Sequence, residues 1–192
     1  MPIKSHQINA GDDITLFTAV DKTKDPNFFT KFLDEGNAIP AIRASKPIIL
    51  EGLQLRRGAR VLDAGCGPGS DAFEIARIVG NTGKVVGIDV SEVMINEARK
   101  RASNLGLPVE FEVGDAQHLR FEDNSFDACR TERMLMHVPD AEKALSEMIR
   151  VTRSAGHLSV FDFDWDTVVV DSPYKETTRK VVHSFSDGIR NG

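Results

Sequence analysis

The sequence contains few of the residues that are typical of secreted, metal-stabilised or redox-active proteins. Its 192 residues include two cysteines, Cys66 and Cys129, one tryptophan and one tyrosine. The cysteines lie in unrelated segments and lack the spacing of metal ligands, so we expect reduced thiols and no metal site. Cys66, inside a glycine-rich segment, could be a nucleophile or, more simply, a small buried residue.

Long apolar runs and an excess of positive charge are also missing. No segment approaches the roughly 18 consecutive apolar residues of a membrane span, and residues 1–4 do not begin a signal peptide. The formal net charge is −5, whereas general nucleic-acid binders usually present a basic face. We therefore expect a cytoplasmic protein that has neither a membrane nor a nucleic acid as its partner.

What is present, from residue 60 onward, is a regular alternation of short apolar strands and amphipathic helices. The clearest helical stripe follows Asp140, with apolar residues at i, i+3, i+4, i+7 and i+8. Such alternation predicts βαβ units and an α/β fold, a doubly wound and mainly parallel sheet of at least five strands with helices on both faces. The predicted strands are residues 60–64, 84–89, 109–113, 126–131 and 157–163.

The N-terminal region is weakly patterned and is expected to form a separate part of the molecule. We divide the chain into residues 1–54, an N-terminal arm and helical lid that contributes to a binding site, and residues 55–192, the domain that contains the sheet. Four aromatic residues of the first part could line an apolar pocket or simply hold the segment down: Phe17, Phe28, Phe29 and Phe32.

A glycine loop follows the first predicted strand, in the segment Val61-Leu62-Asp63-Ala64-Gly65-Cys66-Gly67-Pro68-Gly69. The glycines let the backbone turn sharply into a helix and let a ligand approach without meeting a Cβ atom. By itself this loop is a weak signal, because it could equally hold the pyrophosphate of a dinucleotide.

Acidic residues stand at the carboxyl ends of the first three strands. Asp63 lies near the carboxyl end of the first strand, Asp89 is the last residue of the second, and Asp115 follows the third. Ligands of open α/β sheets bind at this edge, where an acid after the second strand can accept hydrogen bonds from ribose hydroxyls. The edge has no P-loop lysine. It therefore suits a ligand with a sulfonium and an ammonium better than a phosphate-rich one.

Taken in order, the motifs at 61–69, 86–89, 114–116 and 126–140 resemble the class I S-adenosylmethionine (SAM)-dependent methyltransferases. The resemblance is greatest to the type 11 and the ubiquinone/menaquinone-biosynthesis families. It implies a Rossmann-like fold, SAM as cofactor, and methyl transfer to a small-molecule acceptor by direct displacement. Oxygen, nitrogen, carbon and sulfur acceptors all occur on this scaffold, so the acceptor stays open.

The resemblance also implies which residues bind the cofactor. Gly65 and Gly67 of the loop would border its methionine part, and Asp63 would help to hold the loop and the ammonium end. Asp89 would bind the ribose, with Val90 and Met94 against the adenine and Asp115 and Ala116 at the adenine edge. At position 132 the family usually has a small polar residue, and the glutamate of this sequence, Glu132, could pair with the ammonium.

Several of these residues have a purely structural alternative. Asp89 could only cap the helix that follows it, and Asp115 could be a turn residue. Met94 could belong to the core alone, and Glu132 could simply pair with Arg133. His137, after the fourth strand, is the best-placed candidate base, although a structural role for it is also open. No other residue is assigned a catalytic role.

The family normally carries a further strand hairpin after the fifth strand, and the sequence contains no segment that predicts it. Residues 157–163 would then form an exposed edge, which a second copy of the chain could cover as a homodimer. We favour a fragment or a truncated form of a longer protein. Because of the missing hairpin, a SAM-binding module without turnover is an alternative function. An NAD(P)-dependent oxidoreductase, which uses the same sheet and an acid after the second strand, is a less favoured one.

Overall fold

The computed structural model describes residues 17–164, 167, 168 and 170–191, leaving out the side chains of 185 and 188–191. A short 3₁₀ helix, Phe17–Lys22, precedes six α-helices and five β-strands. In chain order these are α1 Pro26–Ala38, α2 Pro40–Glu51, β1 Arg60–Ala64, α3 Ser70–Val79, β2 Lys84–Asp89, α4 Glu92–Ala102, β3 Val109–Val113, β4 Phe126–Glu132, α5 Ala141–Val151, β5 Thr152–Phe161 and α6 Lys175–Asn191.

The five strands form one parallel sheet in the order β3-β2-β1-β4-β5. The strand order reverses at β1, which lies between β2 and β4, and the crevice at such a switch point is where open α/β sheets bind ligands. This arrangement confirms the predicted doubly wound α/β fold. Within the described residues β5 is one edge of the sheet.

Apolar residues of β1 lie on both faces of the sheet, because successive side chains of a strand point in opposite directions. Val61 is buried in a cluster with residues of α3 and α4, including Ile75 and Ile95. Leu62 belongs to a second cluster on the opposite face, with Met148 of α5. Helices therefore cover both faces, as the sequence predicts.

The fifth strand begins earlier than predicted, at Thr152 rather than at residue 157. Thr152 pairs with Phe126 and His157 with Ala128, so the residues between them are looped out as an irregularity in the ladder. Ala155 has a positive φ of 58° in this loop. This irregularity interrupts β5 just before the segment that the sequence predicts as the strand.

The 3₁₀ helix, α1 and α2 form the N-terminal segment that we call the lid. The lid packs against α4 of the sheet domain. Val20 and Phe29 of the lid form a buried apolar cluster with Met94. Asp21 accepts hydrogen bonds from the Ser91 hydroxyl and from the backbone N–H groups of Glu92 and Val93 at the start of α4. A carboxylate is stabilising at a helix N-terminus, so Asp21 anchors the lid electrostatically as well.

None of the helices in the described part of the chain combines the length and the apolar character needed to cross a membrane.

Candidate active site

A cavity of about 520 Å³ opens at the carboxyl ends of β1, β2, β3 and β4 and extends under the lid. This volume lies within the usual range for small-molecule sites. One wall, which we call the sheet wall, consists of the glycine loop and the residues that end β2, β3 and β4. The opposite wall, the lid wall, comes from the 3₁₀ helix, α1 and α2. The turn at residues 133–139 closes the space between them.

The glycine loop turns sharply because its glycines adopt left-handed backbone angles. The φ angles are 71° at Gly65, 52° at Gly67 and 87° at Gly69. A Cβ atom on Gly65 would lie 2.7 Å from Cγ of Met134, so this position excludes larger residues. The N–H groups of Gly65 and Cys66 both donate to the carbonyl of Ile88 and tie the loop to β2.

Asp89 connects the loop to the helix that follows β2. Its two carboxylate oxygens accept hydrogen bonds of 2.9 Å from the N–H groups of Gly67 and Ser91. Burial raises the pKa of Asp89 above its ordinary value, although these two donors act in the opposite direction. Asp89 therefore does bind the backbone before the next helix, which was its structural alternative, but it also lines the cavity. A carboxylate has about four acceptor positions, so Asp89 has capacity beyond these bonds.

Asp115 likewise combines a turn role with a place on the sheet wall. It accepts a 2.8 Å hydrogen bond from the Gln117 N–H, and His118 Nδ1 lies 3.1 Å from its other oxygen. Burial opposes ionisation of Asp115, but the hydrogen bonds from Gln117 and His118 outweigh it and hold its pKa below the ordinary value. Ala116 lines the cavity beside it.

Val90 and Met94 also line the cavity on this side. Val90 is about half exposed, whereas Met94 is almost completely buried. Met94 contacts the lid, because the Thr30 hydroxyl lies 3.7 Å from its sulfur. Met94 is thus both a core residue and part of the wall.

A cluster of six charged side chains lies behind the glycine loop, and we call it the ion cluster. Its centre is Arg130 of β4, whose side chain is only 2% exposed. Nη1 of Arg130 is 3.0 Å from Asp63 and 3.0 Å from Asp71, and Nη2 is 2.6 Å from Glu132. Burial alone would lower the pKa of Arg130, but the three carboxylates outweigh it and raise the pKa. The other members are Lys46 and Arg133.

Asp63, which we expect to help hold the ammonium end of the cofactor, is not among the residues that line the cavity. Its side chain is 1% exposed, and it is held by Arg130 rather than presented to the cavity. Burial raises the pKa of Asp63 to about 6, with Arg130 acting in the opposite direction. Its second oxygen, Oδ2, has no hydrogen-bond partner among the described residues. In this arrangement Asp63 holds Arg130 in place, and a direct contact with a ligand would require Asp63 to change partners.

Glu132 does reach the cavity, but three cations already surround its carboxylate. Lys46 of α2 is 2.5 Å away, Arg130 2.6 Å, and Arg133 Nε 3.3 Å. The alternative pairing with Arg133 is therefore the longest of the three contacts. Lys46, which sequence analysis missed, lies 86 positions from Glu132, and no local pattern links the two.

His137 lies in the turn at residues 133–139 and faces the cavity. The ring centroids of His137 and Phe17 are 4.9 Å apart. Burial lowers the pKa of His137 from its ordinary value of 6.5 to about 4, so the imidazole is neutral near pH 7. Its Nδ1 atom is buried and has no hydrogen-bond partner within the described part of the chain.

The four lid phenylalanines divide between the two roles that the sequence left open. Phe17 and Phe32 line the cavity. Phe29 is buried behind them, with its ring centroid 5.0 Å from that of Phe17, and Phe28 contacts Phe29 at 5.5 Å. Phe28 and Phe29 therefore support the two rings that line the cavity.

Neither cysteine shows the features of a nucleophile. Cys66 and Cys129 are both free and buried. Burial raises the pKa of both thiols, to about 11 for Cys129, so neither is a thiolate near neutral pH. Within the described residues no group of three or more His, Cys, Asp or Glu side chains could hold a metal ion.

A parallel sheet of this order, with a glycine loop after β1 and acids at the ends of β2 and β3, is typical of Rossmann-like ligand-binding domains, among them the class I SAM-dependent methyltransferases. A family model described as a methyltransferase domain matches residues 55–187, and the chain belongs to that family. S-adenosylmethionine is the cofactor of this class. The cavity fits it, because the sheet wall offers carboxylates and a close-approach glycine backbone to a cationic nucleoside.

Individual relatives agree with this assignment. The chain is 36% identical over 139 residues to methyltransferase GfsG of Streptomyces halstedii, covering 71% of this chain and 48% of that protein. It resembles the structure of a SAM-dependent methyltransferase from Aquifex aeolicus, with a TM-score of 0.59, 26% identity and coverage of 73% and 78%. It also resembles the (4+2)-cyclase SpnF, with a TM-score of 0.58, 34% identity and coverage of 62% and 44%. The chain spans about half the length of the curated relatives it matches.

Proposed function

We propose that the protein transfers a methyl group from SAM to a small-molecule acceptor by direct displacement. The observation that carries the proposal is the position of Asp89, which holds the Gly67 N–H and faces the same cavity as the glycine loop. When bound, the cofactor supplies a methyl group on a positively charged sulfur. The protein contributes position and charge, since holding two reactants in line can lower a barrier by about 7–11 kcal/mol in favourable cases.

In this proposal the sheet wall holds the adenosine part. The carboxylate of Asp89 accepts hydrogen bonds from the ribose hydroxyls. At the adenine edge, Asp115 accepts a hydrogen bond from the amino group and the Ala116 N–H donates one to a ring nitrogen. Val90 and Met94 provide apolar contact with the adenine ring. Hydrogen bonds to an ionised group contribute about 1.5–3 kcal/mol each, so Asp89 should be the strongest single contact.

The ion cluster suits the amino-acid end of the cofactor, which carries one positive and one negative charge. The cluster has three cations and three carboxylates, and four of its members, Asp71, Arg130, Glu132 and Arg133, line the cavity. Glu132 and Asp71 are placed for the ammonium and the arginines for the carboxylate. Gly65 and Gly67 border this end, and Asp63 acts through Arg130.

Calorimetric titration with S-adenosylhomocysteine, the demethylated cofactor, tests this assignment. Replacing Asp89 with alanine should weaken binding roughly 10- to 100-fold, through loss of one or two charge-assisted hydrogen bonds. The matched control is Asp123→Ala, since Asp123 is an exposed acid that contacts Arg150 outside the cavity. Asp89→Asn, which keeps an acceptor for the Gly67 N–H, shows whether any loss comes from the loop rather than the ribose. Unchanged affinity in both Asp89 variants, or micromolar binding of NAD instead, would overturn the proposal.

A SAM-binding module without methyl transfer is the second candidate function. Its support is the likeness to SpnF, which is described as a cyclase rather than as a methyltransferase. Mass spectrometry of acceptor mixtures incubated with deuteromethyl-SAM separates the two, because only a methyltransferase produces acceptors that gain the labelled methyl group.

The proposal also includes a cytoplasmic location and a possible homodimer through the edge of β5. The free, buried cysteines are typical of a reducing compartment. Leu158 and Val160 are partly exposed on the edge strand and offer apolar surface to a second copy.

A further inference from the structure

The two carboxylates that the proposed function gives to the cofactor's ammonium are already paired with cations of the protein itself. Asp71 lies 2.8 Å from Lys46 Nζ and 3.0 Å from Arg130 Nη1. Glu132 lies 2.5 Å from the same lysine nitrogen and 2.6 Å from Arg130. Arg133 Nε adds a contact of 3.3 Å to Glu132. A further ammonium would join two cations at Asp71 and three at Glu132, and like charges so close together repel each other. One of the present cations has to leave when the ligand's ammonium binds.

Of these three cations, Lys46 is the one that the structure holds least firmly. The side chain of Arg130 is 2% exposed and contacts a further carboxylate, that of Asp63. Arg133 is held from outside the cluster by Asn37 at 2.8 Å. The side chain of Lys46 is 15% exposed, and its hydrogen bonds within the described part of the chain go to the two carboxylates in question. Because a lysine side chain is flexible, Lys46 can leave at the lowest cost.

Lys46 has a place to go, because the helix that carries it borders a groove. None of the twelve residues of α2, all of which the structure describes, is buried. The groove has a volume of about 690 Å³, lies between α2 and α3, and is lined by Lys46 and Asp71. Glu74, which is exposed, follows Asp71 by one turn of α3 and lines the same groove. Residues three apart on a helix are neighbours, so a lysine that leaves Asp71 has another carboxylate close by.

The groove and the cavity meet at the ion pairs of Lys46. Asn37, Ser70 and Asp71 line both spaces. Among the described residues, Lys46 lines the groove but not the cavity, whereas Glu132 lines the cavity. The ion pair between Lys46 and Glu132 therefore connects a residue of the groove with a residue of the cavity, and release of Lys46 would separate the two.

We propose that the ammonium of Lys46 and the ammonium of the cofactor compete for Asp71 and Glu132, so that Lys46 leaves toward the groove when the cofactor binds. This inference rests on the proposed function and names the residue that regulates binding at the same site. Exchange of one ammonium for another contributes little to affinity, so Lys46 weakens the binding of the amino-acid end of the cofactor. Its departure also releases an attachment of α2 to the sheet domain, which couples cofactor binding to the position of this lid helix.

Three ligands separate the ammonium from the rest of the cofactor. S-adenosylhomocysteine carries an ammonium and a carboxylate, its decarboxylated analogue S-adenosyl-3-thiopropylamine carries only the ammonium, and methylthioadenosine carries neither. Their affinities are measured by calorimetry for the wild type and for Lys46→Met, which keeps an apolar side chain without the charge. We expect the affinity for each ammonium-bearing ligand, divided by that for methylthioadenosine, to rise at least ~10-fold in Lys46→Met, because a hydrogen bond between charged groups then forms without displacing another. A general loosening of the lid would affect all three ligands and cancel in the ratio.

Two further variants show whether the charge of Lys46 is responsible. Lys46→Arg keeps the positive charge and should keep the ratio close to that of the wild type. The matched control is Lys143→Met, because Lys143 pairs with Glu147 on α5 and is not among the described residues that line the cavity or the groove. An unchanged or lower ratio in Lys46→Met would contradict the competition. A loss of affinity confined to S-adenosylhomocysteine would also contradict it, and would show that Lys46 binds the cofactor's carboxylate instead.

Chemical labelling of the wild-type protein tests the same exchange without any variant. A short pulse of acetic anhydride acetylates accessible lysine amines, and peptide mass spectrometry reports the extent at Lys46, with Lys143 of the same sample as the reference. Saturation with S-adenosylhomocysteine should raise the labelling of Lys46 several-fold, because the amine is released from its two carboxylates. Methylthioadenosine should leave it unchanged. Equal or slower labelling with S-adenosylhomocysteine would mean that Lys46 stays in place, and the inference would be wrong.

Binding of S-adenosylhomocysteine by the wild-type protein distinguishes the two proposals. If the wild type does not bind it, the proposed function fails, and this inference fails with it. If it binds and either the affinity ratio or the labelling of Lys46 does not rise, only the exchange at Lys46 is wrong.

Discussion

The sheet wall and the lid wall of the cavity are built on opposite principles. The sheet wall carries backbone N–H groups, carboxylates and the ion cluster, each held by a strand end or by a hydrogen bond such as that between Gly67 and Asp89. The lid wall carries uncharged side chains from short helices, supported by aromatic contacts such as that between Phe17 and Phe29. The sheet wall suits one fixed, charged ligand. In the lid wall, substitution of apolar side chains can change which ligand fits. Under the proposed function, cofactor choice and acceptor choice are therefore encoded in separate segments of the chain.

The largest expected effect comes from breaking the sheet wall at Arg130. Arg130→Met leaves Asp63, Asp71 and Glu132 without their shared buried cation, and loss of one partner of a buried ion pair destabilises by about 3–5 kcal/mol. Urea denaturation measures the change in the free energy of unfolding. The control, Arg77→Met, removes an exposed pair with Glu74 and should cost less than about 1 kcal/mol. Similar losses in the two variants would show that the ion cluster does not stabilise the fold.

An effect of intermediate size is expected from His137, which belongs to the junction of the two walls. Its folded-state pKa, about 4, lies below the ordinary value of 6.5. The unfolded chain therefore binds the proton more readily, so the stabilising contribution is complete above pH 6.5 and is lost as the pH falls toward 4. It amounts to at most about 3 kcal/mol.

Unfolding measured at several pH values for the wild type and His137→Gln isolates this contribution. Asp63 titrates in the same window with the opposite sign, because its folded-state pKa is raised to about 6. The difference between the two proteins removes the Asp63 contribution, since both contain it. Parallel curves for the two proteins would exclude a buried, neutral His137.

The smallest effect is expected at the lid anchor. Asp21→Ala removes the acceptor for three groups at the start of α4, and loss of such a capping carboxylate costs about 0.5–2 kcal/mol. Amide hydrogen exchange of residues 17–22 should accelerate while exchange in β1 does not change. Asp25→Ala is the control, because Asp25 caps α1 through the N–H of Asn27, whereas Asp21 caps α4. Faster exchange in β1 would mean that lid and sheet unfold together.

The sheet wall was largely predictable because its residues follow strand ends. Parallel strands bring their carboxyl ends to one edge, so Asp89 and Asp115 could be placed together without any tertiary information. Gly65 and Gly67 were predictable for a similar reason, since the turn from β1 into α3 needs left-handed angles. The confirmed class of fold rests on these local rules.

The ion cluster and the lid anchor were not predictable in the same way. The partners of Arg130 cannot be read from its own strand alone, because the three carboxylates that surround it come from different elements. Lys46 reaches Glu132, and Asp21 reaches Ser91, across distances of 86 and 70 positions. Periodicity and capping rules describe neighbours within a few residues, so they contain no information about such pairs.

The irregularity in β5 has a consequence for self-association. Only the part of β5 from His157 to Phe161 runs in regular register beside β4, because the four residues after Thr152 are looped out. Short or bulged edge strands are poor templates for continuing a sheet into another molecule. A second copy that docks along this edge could form only a few main-chain hydrogen bonds. Its affinity would then depend on side chains such as Leu158 and Val160, and a single polar replacement there should be enough to keep the chain monomeric.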